Sequence, residues 1–475
     1  MNSHPLRSSS RRSFLKGLAV TSAGGIILPN ILLRADETPA GKKLGIAAIG
    51  CGGKGASDLE GAAHENEVVA LCDVDRDRLA AAAKKFPNAK TYTDFRKMLD
   101  EVKSIEAVTV STPDHAHYPA AMHAIALGKH VCVQKPLVNT LWEARELHLA
   151  AKKKGVITQM GNQGHTYDDN RVVKEWIAAG VIGKVKEVHV WTNRPIWPQG
   201  KAVSFKPGDV PANLDWELWL AATPDHAYSP DIHPFKWRGF LEWGAGAFGD
   251  MGCHLIDAAS WALDLGVPKF ATARQVDDLT DIAWPTGSIV KMEFPNVKGH
   301  GDVMLTWYEG KKPDGTPYLP EFPASVDQAE AFADNDPKKN GKVSPGGWFI
   351  VGTEGVIFNK NDQAKNPQIW PKARRDAVMA NPPAKTLPRS PKAGNAQEEW
   401  TYAIKQGKAL PFMSQFDYSV PLTELTLVGG LAMHYPGRRL EWDAKKLSVV
   451  GLPEAAKFIK RAAYRKGWDY SSAKI

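Results

Sequence analysis

Cysteine is scarce in this chain of 475 residues, which has only four, at positions 51, 72, 132 and 253. No two of them show the Cys-x-x-Cys spacing of a structural zinc site or a thiol redox motif. Secreted domains that depend on disulfides carry far more cysteine. The four are therefore expected to be small buried thiols. His165, His233 and His254 show no ligand spacing either, so no metal site is predicted.

A strong charge of one sign is also missing. The net charge of +8 comes from 60 basic and 52 acidic residues, and five of the basic ones lie in the first 35 positions, which hold no acid. Without those five, 55 basic residues face 52 acidic ones. No basic stripe or RNA-binding signature is present, which argues against a nucleic-acid partner.

The N-terminus has the composition of a targeting segment. Arg11-Arg12 precedes an apolar stretch over 17–33 and a small residue, Ala35. This pattern predicts a twin-arginine export signal over 1–35, with the export machinery as partner and a periplasmic or otherwise exported location. The stretch contains Ser, a Gly pair and Pro, so it is a poor permanent membrane span, although an uncleaved anchor stays open. Because this route carries folded proteins, a cofactor can be loaded before export.

A predicted buried strand follows this leader, and it ends in a cluster of glycines. Leu44–Gly55 ends in Gly50-x-Gly52-Gly53-x-Gly55, which is typical of a tight turn into a helix that binds a pyrophosphate. Asp73 follows a second buried strand, 23 residues after Gly50, where a carboxylate meets a ribose diol. A carboxylate repels a 2′-phosphate, so NAD is favoured over NADP, with Arg76 close enough to complicate the choice.

The length predicts two domains. Residues 41–160 alternate strands and helices, which predicts a doubly wound parallel sheet. Its ligand edge lies beyond the strand ends, where Asp73, Thr112 and Lys135 fall. The predicted helices include 76–85, 95–102, 118–127 and 141–154, and 112–117 is expected to be a loop.

Strand-like alternation follows at 186–192, 288–294, 302–307 and 348–353, and it predicts a second, α+β domain over 161–440 with a mainly antiparallel sheet. The segments 311–345 and 362–395 are expected to be surface insertions, such as arms or lids. Late helices over 398–406 and 422–433 are expected to pack back on the first domain. Residues 441–475 form a C-terminal tail.

Two stretches carry residues suited to chemistry. Lys135 stands at the end of a buried strand, before Pro136. Asp250, His254 and Asp257 are spaced four and three apart, so they share one face of a helix. A histidine bonded to a carboxylate beside a lysine can handle the proton of an alcohol as a hydride leaves. A solvated lysine and a capped helix with a core histidine are the structural alternatives, and the residues alone leave them open.

These motifs together resemble the glucose–fructose oxidoreductase, inositol dehydrogenase and MocA family over about 44–440. The resemblance rests on the glycine turn, on Cys72-Asp73-Val74-Asp75, on Gly128-Lys129-His130-Val131 through Gln134-Lys135-Pro136, and on 249–254. It implies a Rossmann domain followed by an α+β domain, whose open sheet mediates dimers or tetramers. It also implies hydride transfer between a sugar or cyclitol carbon and NAD or NADP.

The resemblance also assigns residues to roles. Lys135, Asp250 and His254 occupy positions similar to the family's catalytic lysine, aspartate and histidine. Cofactor contacts are expected from Gly50, Gly52, Gly53, Gly55, Asp73, Ser111, Thr112, Pro113, His117, Gln134 and Lys135. One departure is Gln134, where the family usually has Glu. A glutamate would hold the lysine protonated, whereas Gln only hydrogen-bonds it, so the role of Lys135 as acid, base or anchor is open.

A carbohydrate substrate is expected, because Trp faces stack on sugar rings while Arg and Asn bind hydroxyls. The candidate substrate residues are Asn162, His165, Arg194, Trp237, Arg238 and Trp243. The leading interpretation is an exported NAD-dependent sugar or cyclitol oxidoreductase with a tightly held dinucleotide. One alternative is a glycoside-cleaving enzyme that oxidises, eliminates and re-reduces with the same NAD. A non-catalytic sugar or nucleotide sensor is the third.

Overall fold

The computed structural model describes residues 42–471, so the predicted export leader lies outside the described residues. Its first sheet has six parallel strands in the order β3-β2-β1-β4-β5-β6, which confirms the predicted doubly wound sheet. The strands are β1 (Gly45–Ile49), β2 (Glu67–Cys72), β3 (Lys90–Tyr92), β4 (Ala107–Val110), β5 (His130–Val133) and β6 (Thr158–Met160).

Five helices connect these strands: α1 (Lys54–Ala63), α2 (Arg76–Lys85), α3 (Phe95–Glu101), α4 (Asp114–Ala126) and α5 (Leu141–Lys154). The predicted bounds of α2 and α5 are confirmed residue for residue. Local signals fix them: Asp75 caps α2 by accepting the N–H of Asp77 and Arg78, and Gly155 ends α5 in the left-handed conformation.

Helix α4 begins earlier than predicted. The sequence analysis expected a loop over 112–117, but the helix already starts at Asp114. Pro113 occupies the N-cap position with φ of −60°, and an acidic residue in the first turn is favoured by the helix dipole. The prediction of a loop is therefore wrong for residues 114–117, whose side chains are buried.

The second sheet has nine strands in the order β13-β12-β11-β7-β10-β9-β8-β14-β15. Its neighbours are antiparallel except for β7 and β10, so the predicted mainly antiparallel sheet is confirmed. The strands are β7 (Val185–Thr192), β8 (Phe270–Asp277), β9 (Gly287–Val297), β10 (Gly301–Gly310), β11 (Gly346–Gly352), β12 (Val356–Asn359), β13 (Gln368–Trp370), β14 (Leu440–Asp443) and β15 (Ser448–Val449).

The later helices join the two sheets. Trp400 lies in the buried cluster beneath β1 and β2, and its Nε1 donates to the carbonyl of Ile157 at 3.1 Å. Arg145 of α5 donates to Glu424 at 2.6 Å, so the predicted return of both late helices is confirmed. The helices are α6 (Asp168–Ala178), α7 (Trp216–Leu220), α8 (Gly246–Leu255), α9 (Asp257–Leu263), α10 (Gln328–Ala331), α11 (Lys372–Ala380), α12 (Ala396–Lys405), α13 (Phe416–Met433) and α14 (Ala456–Ile459).

The two predicted insertions are more integrated than surface arms. Residues of 311–345, such as Val326 and Phe332, share a buried aromatic cluster with Trp191 of β7 and Phe358 of β12. The segment 362–395 supplies β13 and α11. Burial of apolar area against the second sheet fixes both segments in place.

All four cysteines are buried and free, as predicted. Within residues 42–471, no helix combines the length and apolar character that crossing a bilayer requires. The same residues contain no cluster of three or more His, Cys, Asp or Glu side chains placed to hold a metal ion.

Candidate active site

A cavity of about 510 Å³ opens at the C-terminal edge of the first sheet. The ends of five neighbouring strands line it, because parallel strands deliver their carboxyl ends to one edge. From the first domain come Gly50, Gly52, Gly53, Asp73, Ser111, Thr112, Pro113, Gln134 and Lys135, and from the second Trp237, Arg238 and His254. The structure thus brings twelve of the residues named by the sequence analysis to one cavity.

The glycine turn fits a pyrophosphate. Gly50 has φ of +87°, and a Cβ there would lie 2.6 Å from the carbonyl oxygen of Ser111. A Cβ on Gly55 would lie 2.1 Å from the carbonyl oxygen of Gly50, so Gly55 lets α1 approach the strand, although it does not line the cavity. Helix α1 begins at Lys54 without a side-chain cap, which leaves its positive end toward the cavity.

Asp73 stands beside this turn, where the ribose of a dinucleotide is bound. Its Oδ2 accepts the N–H of Cys51 at 2.7 Å, and its Oδ1 accepts the N–H of Asp75 at 2.9 Å. Burial raises the pKa of Asp73 against the effect of these two bonds. Each carboxyl oxygen has a second lone pair, so the group can still accept from a ribose hydroxyl.

The arginine that lines this end of the cavity is Arg78 rather than Arg76. Arg76 donates through Nη1 to the carbonyl of Ala212 at 2.9 Å, and it does not line the cavity. Arg78 lines it, with Cδ 2.4 Å from the place that a Cβ on Gly52 would take. The guanidinium lies 3.4 Å from Oδ2 of Asp75.

Lys135, Asp250 and His254 meet at the other end of the cavity. Lys135 follows β5, and its Nζ lies 2.6 Å from Oδ1 and 2.9 Å from the carbonyl oxygen of Asp250, in α8. Burial opposes ionisation of Asp250, but the charges of Lys135 and Arg238 outweigh it and hold the pKa of Asp250 below its usual value. The pair is therefore an ammonium and a carboxylate, with the lysine anchored although residue 134 is not acidic.

His254 lies one helical turn after Asp250 and lines the same cavity. Burial, together with the charge of Lys135, lowers the pKa of His254 to about 3, so the ring is neutral at physiological pH. Its Nδ1 is buried without a hydrogen-bond partner in the described part of the chain. Thr112 Oγ1 and Gln163 Oε1, two further atoms of cavity-lining residues, are in the same condition. Each of these atoms is available to pair with a bound ligand or a water molecule.

Gln134 is held by a carboxylate from another element. Asp58 of α1 is buried and accepts from Gln134 Nε2 at 2.8 Å, Ser111 Oγ at 2.8 Å and Gln397 Nε2 at 2.9 Å. Lys54 Nζ also contacts it. Asp58 therefore ties the glycine-turn helix to the ends of β4 and β5.

The predicted substrate residues fall into two groups. Arg238 stacks on Trp237 with its Cζ 4.2 Å from the ring centre, and its Nε is 3.7 Å from Asp250 Oδ1. Trp237 and Arg238 both line the cavity. Four predicted substrate residues do not line the cavity: Asn162, His165, Arg194 and Trp243. Three predicted cofactor and catalytic residues do not line it either, namely Gly55, His117 and Asp250.

The residues outside the cavity have identifiable neighbours. Asn162 Nδ2 and His165 Nδ1 contact Asp257 Oδ1 at 3.2 and 3.0 Å. Trp243 is fully buried in an aromatic cluster. The ring nitrogens of His117 lie 2.9 and 2.8 Å from the carbonyl oxygens of Pro136 and Thr112, where they brace the cavity wall from behind.

Comparison with known proteins assigns the two domains. Residues 44–162 match the oxidoreductase family GFO_IDH_MocA in its NAD-binding Rossmann fold, and residues 169–269 match the C-terminal alpha/beta domain of the same family. The chain matches this one family over both of its domains. Its first domain is thus an NAD-binding Rossmann domain, which agrees with the glycine turn and with Asp73.

Several relatives of this chain are sugar dehydrogenases by name. D-glucoside 3-dehydrogenase of Escherichia coli is 28% identical over 211 residues, which are 44% of this chain and 50% of the relative. Levoglucosan dehydrogenase of Pseudarthrobacter phenanthrenivorans is 26% identical over 192 residues, 40% of this chain and 41% of the relative. The chain thus spans half or less of the length of these curated relatives.

Among solved structures, the WlbA dehydrogenase of Bordetella pertussis, in complex with NADH and UDP-GlcNAcA, is similar with a TM-score of 0.56 and 16% identity. The match covers 85% of this chain and 99% of that one. At this identity the likeness concerns the fold, and it extends over both domains.

Two acids near the site were not named by the sequence analysis. Asp114, at the start of α4, lines the cavity and accepts the N–H of Ala245 at 3.1 Å, and burial raises its pKa to about 7. Asp362 follows β12. Burial raises its pKa against the charge of Arg194, and it also feels the charges of Asp250 and Lys135. The position of Asp114 beyond a buried strand was a usable signal, whereas Asp362 had none.

Proposed function

We propose that this chain is an NAD-dependent oxidoreductase that transfers a hydride between a carbohydrate CH–OH carbon and a nicotinamide dinucleotide. The observation that carries this proposal is that Lys135, held by Asp250, and His254 line the cavity that the glycine turn opens. A cradle for the dinucleotide and a proton-handling group lie at opposite ends of one space, as the reaction requires.

The bound nicotinamide ring would supply or accept the hydride. The chain's own residues handle the rest. Neutral His254 takes the hydroxyl proton on its ring as the carbinol C–H bond breaks, and it returns the proton in the reverse direction. The ammonium of Lys135, aimed by Asp250, donates to the reacting oxygen and stabilises its developing charge. Trp237 and Arg238 offer a ring face and donors to a sugar.

An NAD-cycling glycoside-cleaving activity is the second candidate, and Asp114 favours it. Elimination of an aglycone needs an acid that still holds its proton near neutral pH. The pKa of Asp114 is about 7, and this group lines the cavity near Lys135. The same site thus contains the base for oxidation and an acid suited to the leaving group.

One experiment separates these functions. The purified full-length chain is examined for bound dinucleotide and then incubated with free sugars, cyclitols and aryl glycosides. Net NADH formation from sugars supports the dehydrogenase, and aglycone release without net NADH supports the cycling enzyme. Absence of binding to both NADH and NADPH would contradict the two functions together, and binding without turnover would favour a sensor.

We further propose that the chain is exported by the twin-arginine route. The support is Arg11-Arg12 ahead of a mild apolar stretch, together with a cofactor site that needs loading before translocation. Changing Arg11 and Arg12 to lysine is expected to retain the protein in the cytoplasm, as measured by cell fractionation. Export of the double variant at the wild-type level would contradict the proposal.

A further inference from the structure

One wall of the dinucleotide cavity comes from the C-terminal tail. Trp468 lines the cavity together with Thr93, Asp94 and Phe95, which follow β3. Its ring meets Phe95 edge-on with 5.8 Å between centroids, and the Cζ of Arg96 lies 4.2 Å from its ring centre. Only 4% of Trp468 is exposed, so the side chain is a fixed part of the wall.

The order of the strands tells which end of the cavity this wall closes. Strand β3 is the neighbour of β2, and the residue after β2 is Asp73, at the ribose-binding position. Lys135 follows β5, on the far side of β1 and β4. The Trp468 wall is therefore on the adenosine side of the dinucleotide site, away from the reacting carbon.

Buried ion pairs hold the segment that carries Trp468. Arg461 contacts Glu143 of α5 at 3.3 Å and also pairs with Glu242. The hydroxyl of Tyr464 donates to Glu143 at 3.0 Å. Glu143 is fully buried, so these contacts replace the water that its carboxylate has lost.

A second set of anchors surrounds Trp468 itself. Arg465 Nη1 lies 2.9 Å from Glu217 Oε2 and 2.8 Å from Asp225 Oδ1. Beyond Trp468, the carbonyl of Tyr470 accepts from the hydroxyl of Tyr118 in α4 at 2.8 Å. Residues 461–470 are thus fastened to both domains on either side of the tryptophan, and we call them the clasp.

We propose that the clasp closes the adenosine end of the dinucleotide pocket and sets how slowly the dinucleotide leaves. This inference rests on the proposed function, because it takes the cavity to bind a dinucleotide. An adenine base that reaches the wall meets two aromatic side chains, Phe95 and Trp468. Release past this wall requires the clasp to open, and opening breaks the contacts of Arg461 and Arg465.

The clasp should act on dissociation more than on association. Differences in affinity between related complexes lie mostly in the dissociation rate, and a wall that must open before release acts on that rate. The turnover number with saturating dinucleotide depends on Lys135 and His254 at the other end of the cavity. Release of the dinucleotide is therefore the step that reports on Trp468.

The test measures release of NADH from the full-length chain. NADH fluorescence is followed in stopped flow while excess NAD displaces it, for the wild type, Trp468→Ala, Trp468→Phe and Arg465→Ala. Trp468→Ala is expected to speed release at least tenfold, with the association rate changed less than threefold. Trp468→Phe keeps an aromatic wall and should stay within threefold of wild type. Arg465→Ala keeps the wall, weakens one anchor and should give an intermediate rate.

Release rates of Trp468→Ala and Arg465→Ala within twofold of wild type would overturn the clasp. If Trp468→Ala does not fold, Arg465→Ala decides, because its side chain is outside the cavity lining and its ion pairs are with partly exposed groups. A wild type that binds neither NADH nor NADPH would instead contradict the proposed function, so the two failures are distinct.

Discussion

Replacing His254 with alanine lowers the turnover number by about 10²- to 10⁴-fold and leaves the dinucleotide bound, because His254 is the proton acceptor in the proposed reaction. The side chain lines the cavity at the end where Lys135 and Asp250 meet. The turn at Gly50 and the carboxylate of Asp73 lie at the other end of the site. Binding and proton transfer should therefore separate in this variant.

The measurement is the turnover number of His254→Ala alongside its dissociation constant for NADH. His254→Asn retains a hydrogen-bond donor without a titratable ring, so it should be nearly as slow as the alanine variant. His64→Ala, at an exposed position after α1, is the control for loss of a histidine and should be unaffected. Turnover of His254→Ala within threefold of wild type would remove this residue from the mechanism.

The pH dependence of kcat/KM checks the same assignment. A histidine with a lowered pKa is neutral, and able to accept a proton, at every pH above that pKa. Since the pKa of His254 is about 3, titration of its ring should cause no fall in kcat/KM (no acid limb) as the pH is lowered from 7 to 5. A limb near pH 7 that disappears in Asp114→Asn belongs to Asp114, whose pKa is about 7. A limb that persists in that variant would contradict a neutral His254.

Gln134→Glu is expected to destabilise the fold and weaken dinucleotide binding, although it introduces the residue usual in the family. Gln134 donates to the buried carboxylate of Asp58, so a glutamate there would set two carboxylates against each other. Asp58→Ala should be damaging for the complementary reason. It leaves Gln134, Ser111 and Gln397 without their acceptor, at a cost of about 3 kcal/mol in the free energy of unfolding.

A double-mutant cycle tests this reasoning. Asp58→Asn with Gln134→Glu exchanges the donor and the acceptor, and it should recover at least about 1.5 kcal/mol relative to the sum of the single changes. Urea unfolding gives the stabilities, and NADH titration of each variant gives the binding. Glu67→Gln, at an exposed position on β2, is the matched control. Additive effects of the two changes would show that the contact between residues 58 and 134 carries no energy of its own.

The sequence predicted the first domain well because its signals are local. The cap at Asp75 and the glycine at 155 fix helix ends within a few residues of chain. The glycine turn and Asp73 are held apart by one βαβ unit, whose geometry is nearly constant. Most residues predicted for the ligand edge of the first sheet therefore line the cavity in the structure.

Residues brought in from afar could not be predicted in this way. Asp362 reaches the site because the β11–β12 hairpin sets its position, and a surface loop was expected there. Asp58, in a helix 76 residues before Gln134, accepts from the amide of that residue. Trp468 contacts Phe95 because the path of the C-terminal tail brings the two rings together. None of these pairings leaves a periodicity or a spacing in the sequence, because each depends on tertiary packing.

The wall at Trp468 has a consequence for biosynthesis. The cavity is lined by residues from Ile49 to Trp468, so its two ends are made at widely separated times. While the ribosome is still adding the tail, a nascent chain can present the glycine turn and Asp73 but lacks this wall. A dinucleotide captured then would be free to leave again. Durable loading should follow release of residue 468 from the exit tunnel, when Trp468 can pack against Phe95.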